Sequence, residues 1–324
     1  MVDSVSVKGK PSKEEKRLMK QAKRRELAKE IRRYRSLYPI MIFGVLFFII
    51  FAYMPMYGIQ LAFKDYTFGQ GIGGSPEVGL EHFQRLFARQ EFWAAFLNTF
   101  IISMIKFLGF PVPIILAIFL NEVASRHYTK SMQVIYTLPH FLSWITIGGI
   151  MKQLLGSSGA INSMLASLGN GPVAFLSNGD AFRFLLLFTD VWKESGWSCI
   201  IYMAAIAGID PTLYESATLD GANRFQKAWH ITIPSIHTTI AVLFILAVGG
   251  VLGGNFDQVF NLYNPTVYAK SDIIPTYIYR ITFEQAPDYG FSTAVGLFQG
   301  GINAVMLFGA NFVLGKIDPD ARMI

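Results

Sequence analysis

The chain has 324 residues, of which 52% are hydrophobic and only 15% are charged. Soluble domains carry about 25% charged residues, so this composition excludes an ordinary soluble domain and predicts a chain that lies largely in lipid. The formal net charge of +6 is unevenly distributed. Residues 1–36 hold thirteen of the twenty-eight Lys and Arg residues and five acidic residues, which makes this segment +8 and the remainder slightly acidic.

The basic N-terminal segment, residues 1–36, is predicted to lie on the cytoplasmic side of a membrane. Apolar residues recur at helical spacing at Leu18, Ala22, Leu27 and Ile31, which indicates an amphipathic helix on the lipid headgroups. The alternative is a partly disordered basic tail that only sets the orientation of the chain. No small-residue cleavage site follows the basic residues, so a cleavable signal peptide is not expected.

Six apolar segments are long enough to cross a bilayer, which takes about 20 helical residues. They are residues 37–63, 92–120, 132–155, 182–209, 236–262 and 291–315. With the basic N terminus inside, the positive-inside rule places the loops 122–131 and 210–234 and the tail 318–324 in the cytoplasm. The predicted fold class is an all-α membrane protein with six transmembrane helices, both termini inside, and a membrane domain over residues 37–317.

Several kinds of site are not expected. The single cysteine, Cys199, excludes an intramolecular disulfide, and the five histidines show no paired spacing typical of metal ligands. The two Gly-Lys pairs, at residues 9–10 and 315–316, are followed by Pro and Ile rather than Ser or Thr. The chain is therefore predicted to have no metal site and no phosphate-binding P-loop.

The segment 210–234 is the longest polar stretch within the apolar part of the chain. Its opening Asp-Pro pair predicts the start of a helix that ends near residue 219. Gly221 permits a turn, and a second short helix is predicted at 222–229. Pro234 is predicted to end the segment in extended backbone, because a proline disfavours a helical conformation in the residue before it.

Charged residues within the fourth predicted span are a candidate site, since each such group near the bilayer centre costs about 2.5–3.5 kcal/mol on insertion scales. Asp190 and Lys193 are three residues apart, so one interpretation is an ion pair on one face of the helix. The other is that Asp190, Lys193 and Glu194 form the polar lining of a solute pathway. Trp192 and Trp197 would flank that lining with flat rings suited to sugars.

Polar residues at the end of the fifth predicted span form a second candidate group. Asn255, Asp257 and Gln258 follow the glycine-rich run 249–254, whose glycines permit a bend or close helix approach. Solvated polar groups at an interfacial helix end are one interpretation, and further lining of the solute pathway is the other.

The polar segment 210–234 resembles the loop signature of permease subunits of binding-protein-dependent ABC importers, which reads Glu-Ala-Ala, a Gly, and Ile-x-Leu-Pro. The residues that carry the resemblance are Glu215, Ser216, Ala217, Asp220, Gly221, Ala222, Ile231 and Pro234. Asp-Gly-Ala at 220–222 matches the sugar-importer version. Ser216 and Ile233 depart from the pattern by small changes.

Other segments resemble the branch of this family that imports oligo- and polysaccharides, including uronate polysaccharides such as alginate. They are residues 97–99, 120–122, 138–144, 191–193, 196–197, 255–258 and 277–280, and the resemblance as a whole covers about residues 37–317. It implies that 210–234 is a coupling loop that contacts an ATPase.

The resemblance also implies the partners and the location. They are a second homologous permease, two ATPase subunits that bind ATP and Mg²⁺, a periplasmic or extracellular solute-binding protein, a saccharide substrate and the lipid of a bacterial cytoplasmic membrane. No cofactor is expected on this chain, and no nucleic acid. An ion-coupled secondary transporter is the alternative function, although such proteins usually have more spans or an inverted repeat. A membrane enzyme would have only Asp190 and Glu194 as a candidate acid pair.

Overall fold

The computed structural model describes residues 17, 23, 29, 33–35, 37–123, 125–253 and 255–317. The predicted interfacial helix within residues 1–36 lies almost entirely outside the described residues, as does the tail 318–324, and both remain predictions. In the described part of the chain, regular structure is helical, and extended backbone pairs only at a single bridge between Lys64 and Glu77. The chain divides into two units, residues 1–59 and 60–324.

The described part of the first unit is helical. Helix α1 (Tyr38–Phe48) has a proline in its first turn, where the missing N–H leaves no partner unsatisfied. A π-helical turn (Ile49–Tyr53) continues it, and a 3-10 helix (Met54–Phe63) follows across the unit boundary. The apolar side chains of residues 41–48 are exposed, as expected of a helix that faces lipid.

The second unit consists mainly of α-helices. Its first half contains α2 (Gly71–Gly74), α3 (Glu81–Ala88), α4 (Gln90–Phe107), α5 (Pro111–Glu122), α6 (Arg126–Thr137), α7 (Trp144–Leu155) and α8 (Ala160–Ser167). Its second half contains α9 (Gly179–Ala207), α10 (Pro211–Leu219), α11 (Arg224–Lys227), α12 (Ile233–Ser235), α13 (His237–Gly249), α14 (Phe256–Leu262), α15 (Tyr268–Ser271), α16 (Ile274–Tyr279) and α17 (Tyr289–Ile317). The 3-10 turns are Leu138–Phe141, Val251–Gly253 and Pro265–Val267, and the π-helical turns are Ala228–Thr232 and Arg280–Glu284.

Three continuous helical stretches are long and apolar enough to span a membrane, namely Met41–Phe63, Gln90–Glu122 and Tyr289–Lys316. Three further stretches are bent: His127–Phe141 with Trp144–Ser167 by 96°, Gly179–Ala207 with Pro211–Leu219 by 75°, and Arg224–Ser235 with His237–Gly249 by 65°. Counting each bent pair once gives six spans in the described residues, the number predicted. The fifth predicted span, residues 236–262, is broken within its glycine-rich run, as those glycines permit, because α13 ends at Gly249 and a 3-10 turn precedes α14.

Helix α9 is the centre of the second unit, packing against α4, α5, α6, α14 and α15. Its apolar side chains enter two of the three buried clusters, one around Leu186 and one around Tyr202. The third cluster lies between α3, α4, α16 and the start of α17. At Gly196 a Cβ atom would lie 1.9 Å from the backbone oxygen of Tyr136, so only glycine permits the close approach of α9 to the end of α6.

Candidate coupling loop and polar cavity

Helix α10 begins as predicted, at Pro211. The Asp210 carboxylate caps it by accepting a hydrogen bond of 2.9 Å from the backbone N–H of Thr212. This bond, together with one from the Thr212 side chain, lowers the pKa of Asp210 below its ordinary value. The carboxylate is therefore ionised at neutral pH and also complements the positive end of the helix dipole.

The turn after α10 depends on Gly221, whose φ of +80° lies in the left-handed region. The N–H of Ala222 donates to the carbonyl of Ala217 at 2.9 Å, which closes the end of α10. Asn223 and Gln226 then form a capping box with two hydrogen bonds of 2.8 Å. The second helix consequently starts at residue 224, slightly later than predicted.

Pro234 does not end the loop in extended backbone, and that prediction is wrong. Ile233 is helical, with φ −61° and ψ −47°, and the helix continues to Ser235 before breaking at Ile236. The π-helical turn Ala228–Thr232 explains the difference, since the N–H of Ile233 bonds to the carbonyl five residues back. This wider turn accommodates the proline ring and its missing donor within the helix.

The two helices of the coupling loop, residues 210–234, are joined by side chains. The Tyr214 hydroxyl lies 2.9 Å from Oγ1 of Thr232, and Nζ of Lys227 donates to Oγ1 of Thr218 at 2.8 Å. A groove of about 320 Å³ lies between them, lined by Ala217, Asp220, Gly221, Ala222, Gln226, Lys227, His230 and Ile231. Five of the eight residues predicted for ATPase coupling line this groove. Glu215, Ser216 and Pro234 are exposed beside it.

Large apolar side chains project from the same loop into solvent. Leu219 is 90% exposed, Phe225 76% and Trp229 60%, and the two aromatic rings stack with their centroids 6.4 Å apart. Single exposed apolar residues are common on proteins. A cluster of large apolar side chains surrounded by polar residues is instead typical of a protein interaction surface. The family signature does not include Phe225, although its position four residues before Trp229 could have indicated this pair.

A cavity of about 380 Å³ with polar groups set in a largely apolar wall lies among α4, α5, α9, α13 and the turn before α14. The polar residues that line the cavity are Thr99, Ser103, Lys106, Asp190, Glu194, Ser195, Ser198, Tyr202 and Asn255. Its apolar lining includes Ile102, Phe107, Phe110, Val191, Leu243, Val251 and Val259. Three of the predicted pathway residues, Asp190, Glu194 and Asn255, therefore share one cavity. Hydroxyl, carboxylate and amide groups beside apolar surface suit a sugar ring, which has polar edges and apolar faces.

One wall of this cavity is held by a charged network. Nζ of Lys106 lies 3.0 Å from Oδ1 of Asp190 and 2.5 Å from Oε1 of Gln258. Nδ2 of Asn255 donates to the same Asp190 oxygen at 2.7 Å. The Gln258 amide is fully buried and donates to the carbonyl of Leu186 at 2.8 Å. The network joins α4, α9 and α14.

The predicted ion pair between Asp190 and Lys193 does not form, so that interpretation is wrong. Asp190 pairs instead with Lys106 of the neighbouring helix. Lys193 is 6% exposed and donates to the backbone carbonyl of His140, with its Nζ 3.5 Å from Oε1 of Glu194. The physical reason is that the 3-10 turn at His140 presents a carbonyl without a helical partner, which the lysine satisfies.

The remaining predicted pathway residues do not line the cavity. Trp197 stacks on His140 with ring centroids 4.6 Å apart, and Nδ1 of His140 lies 2.8 Å from Oε2 of Glu194. Trp192 is partly exposed, and Asp257 is exposed with its backbone carbonyl accepting from Asn261. These residues flank or support the lining rather than form it.

Lys106 is the cavity residue that the sequence reasoning missed. It lies in the middle of the second predicted span, between Ile105 and Phe107. The criterion applied to the fourth span, an ionisable group inside an apolar segment, identifies it equally well. In the described residues, it is the one cation that lines the cavity.

Helices long and apolar enough to span a membrane, a cavity lined by ionisable groups and a polar two-helix loop are together typical of a solute permease. The family described as the binding-protein-dependent transport system inner membrane component matches residues 109–313. The chain therefore belongs to this family, as the loop signature predicted.

Two Bacillus subtilis proteins are similar over most of the chain. Protein LplB is 39% identical over 292 residues, which cover 90% of this chain and 92% of LplB. The polygalacturonan/rhamnogalacturonan transport system permease protein YteP is 39% identical over 301 residues, which cover 92% of this chain and 94% of YteP. The similarity extends well beyond the loop signature.

Two crystal structures show the same fold. One is a bacterial ABC transporter involved in the import of the acidic polysaccharide alginate, with a TM-score of 0.82, 40% identity, and coverage of 90% of this chain and 99% of that chain. The other is a bacterial alginate ABC transporter in complex with an alginate pentasaccharide-bound periplasmic protein, with a TM-score of 0.81, 40% identity, and coverage of 89% and 97%. The chain is thus a sugar ABC importer permease, and its family comprises transport subunits without an ATPase site of their own.

Proposed function

We propose that this chain and a second homologous permease form an alternating-access pathway for an oligo- or polysaccharide in a bacterial cytoplasmic membrane. A solute-binding protein outside the membrane delivers the saccharide, and two ATPase subunits that hold ATP and Mg²⁺ drive the cycle. The observation that carries this proposal is the cavity of about 380 Å³ with Lys106, Asp190, Glu194 and Asn255 in its wall. Ionisable groups within membrane helices are retained where they face a solute path.

The coupling loop is the part of the chain that receives the ATPase movement. Its groove and the exposed side chains of Leu219, Phe225 and Trp229 would seat against the ATPase. The Tyr214–Thr232 contact would let the loop move as one body. ATP binding would then bias the permease between its inward- and outward-open states.

The substrate class follows from the relatives and the cavity together. The similar structures belong to importers of alginate, and YteP is named for polygalacturonan and rhamnogalacturonan. A uronate-containing saccharide, with alginate as one candidate, is therefore the substrate to test first. The cavity wall has one ammonium and two carboxylates, so we expect Asp190 and Glu194 to accept bonds from sugar hydroxyls and Lys106 to face any sugar carboxylate.

The experiment is to co-express the chain with its neighbouring genes and measure ATP hydrolysis by the purified complex with a panel of saccharides. Alginate, polygalacturonate and neutral oligosaccharides are supplied with the binding protein. We expect hydrolysis only in the complex, and stimulation by the uronate saccharides. Stimulation by neutral saccharides alone would contradict the uronate assignment, and stimulation by none of them would contradict the importer assignment.

A further inference from the structure

Lys106 connects three helices at the point where the fifth span is broken. Its side chain is 16% exposed and that of Asp190 21%, and their ion pair joins α4 to α9. The second contact, to the fully buried Gln258, reaches α14. A buried ammonium with two oxygen partners on two other helices fixes their relative positions more firmly than one apolar contact does.

The backbone between α13 and α14 is held by side chains rather than by a continuous helix. Oγ of Ser103 donates to the carbonyl of Val251, Nε2 of Gln299 donates to the carbonyl of Leu252 at 2.8 Å, and the N–H of Leu252 donates to Oδ1 of Asn303. Ser103 and Lys106 lie three residues apart on α4. Ser103 bonds the 3-10 turn and Lys106 bonds Gln258 of α14, so one face of α4 holds both elements. Irregular backbone within a span is tolerated where it borders such a polar cavity.

Asp190 is able to contact a ligand and Lys106 at the same time. Both of its hydrogen bonds, from Lys106 and Asn255, end on Oδ1. The contacts of the described residues leave Oδ2 as an acceptor in a cavity wall. A sugar hydroxyl that donates to Oδ2 would draw negative charge away from Oδ1 and thereby weaken the attraction of this carboxylate to Lys106.

We propose that Lys106 is a positioning residue of the transport cycle, which couples occupancy of the cavity to the packing of α14 by holding Asp190 and Gln258 together. This inference rests on the proposed function of the cavity as a saccharide site. A saccharide that contacts Asp190 weakens its bonds to Lys106 and to Asn255, the residue before α14, so that α4 and the start of α14 are held less firmly to this part of α9. Lys106 thus transmits the presence of substrate rather than contributing only to stability.

The test uses the complete reconstituted complex and compares ATP hydrolysis with and without saccharide-loaded binding protein. The ratio of the two rates measures coupling. We expect Lys106→Met to lower this ratio at least threefold, and Lys106→Arg, which keeps the charge and two donors, to stay within twofold of the wild type. Lys152→Met is the matched control, because Lys152 is an exposed lysine outside the cavity, and we expect it to leave the ratio unchanged.

The double variant Lys106→Met/Asp190→Asn separates coupling from charge compensation. It removes both charges, so we expect it to assemble at the wild-type yield and to remain uncoupled, even where Lys106→Met assembles poorly. A wild-type ratio in Lys106→Met, or in the double variant, would overturn the inference. If the wild-type complex itself showed no stimulation by any saccharide, the proposed function would fail. If the wild-type complex were stimulated and Lys106→Met kept the wild-type ratio, only the role of Lys106 would be overturned. An unaffected double variant would overturn the role of Asp190 as well.

Discussion

At the residue scale, the structure separates three charged side chains that are close together in sequence. Asp190 and Glu194 line the cavity, whereas Lys193 is turned toward the 3-10 turn at His140. Their expected roles differ accordingly, although all three belong to one helix.

Asp190→Asn and Glu194→Gln are therefore expected to reduce saccharide uptake at least fivefold. Glu194→Gln should change the yield of the complex little, whereas Asp190→Asn should lower it moderately, because it leaves Lys106 without its carboxylate partner. Lys193→Met should instead lower the yield, because it leaves Glu194 without its lysine partner and the His140 carbonyl without a donor. Size-exclusion chromatography measures assembly, and uptake by proteoliposomes measures transport. Equal loss of assembly in all three variants would contradict the assignment of Asp190 and Glu194 to the cavity and of Lys193 to a structural contact.

Gly221 offers a second test at this scale. Its φ of +80° makes any side chain strained, by about 1–2 kcal/mol, while the space around it is open. Gly221→Leu should leave the permease folded and reduce ATPase stimulation, because the turn of the coupling loop is altered.

Gly169 provides the matched control for Gly221. Its φ is +81° and no atom lies near the position of an added Cβ, but it is far along the chain from the coupling loop. Gly169→Leu should have a similar effect on the melting temperature and none on ATPase stimulation. Wild-type stimulation in Gly221→Leu would argue against the coupling role of this turn.

At the element scale, the start of α17 is tied to α3 by a charged contact. Nη2 of Arg85 donates to Oδ2 of Asp288 at 2.7 Å, and the N–H of Phe291 donates to its Oδ1 at 2.9 Å. Burial raises the pKa of Asp288, but these hydrogen bonds and the charge of Arg85 outweigh it and hold the pKa below the ordinary value. The contact therefore stabilises the fold while Asp288 is ionised.

The sign of the pH dependence follows from that lowered pKa. The stabilisation is present above the unfolded-state pKa of about 3.9 and is lost as the pH falls through the lower folded-state value. Thermal unfolding of the detergent-solubilised protein between pH 3 and 6 should show this loss, and Asp288→Asn should melt lower at pH 6 with a flatter profile below pH 4. If Asp288→Asn had the wild-type dependence of melting temperature on pH, the stabilising role of ionised Asp288 would be contradicted.

Much of the element pattern could be predicted from sequence, because each signal is local. Apolar length identified six spans, and the Asp-Pro pair identified the first residue of α10. The glycine run 249–254 indicated where the fifth span could bend, but not the 3-10 turn that forms there, and the π-helical turn that accommodates Pro234 was missed. The π-helical turn rests on one five-residue backbone bond that no residue type signals, and the 3-10 turn is held by side chains from distant helices, which a local pattern does not contain.

The cavity was predictable only in part for the same reason. Asp190, Glu194 and Asn255 were identified as polar residues in apolar segments, but their shared cavity depends on the packing of α4 beside α9. The partner of Asp190 is 84 residues away in sequence, at Lys106, whereas Lys193 was the obvious local candidate. Contacts between helices distant in sequence decide which of several charges pair.

At the scale of the whole molecule, the chain is one subunit of an importer whose energy comes from other chains. The family and the fold agree with this division, and in the proposed function the coupling loop receives the ATPase movement while the cavity supplies the path for the saccharide. Neither the cavity nor the loop performs transport alone under this account. Both must be present in an assembly with the partner permease, the ATPases and the binding protein.

The most direct test is saccharide accumulation by proteoliposomes that contain either the complete complex or this chain alone. Labelled saccharide is presented on the binding protein, and ATP with Mg²⁺ is supplied on the side of the coupling loop. The account predicts accumulation only by the complete complex with ATP, unaffected by collapse of the proton and sodium gradients. Accumulation by the chain alone, driven by an ion gradient, would contradict it and identify a secondary transporter.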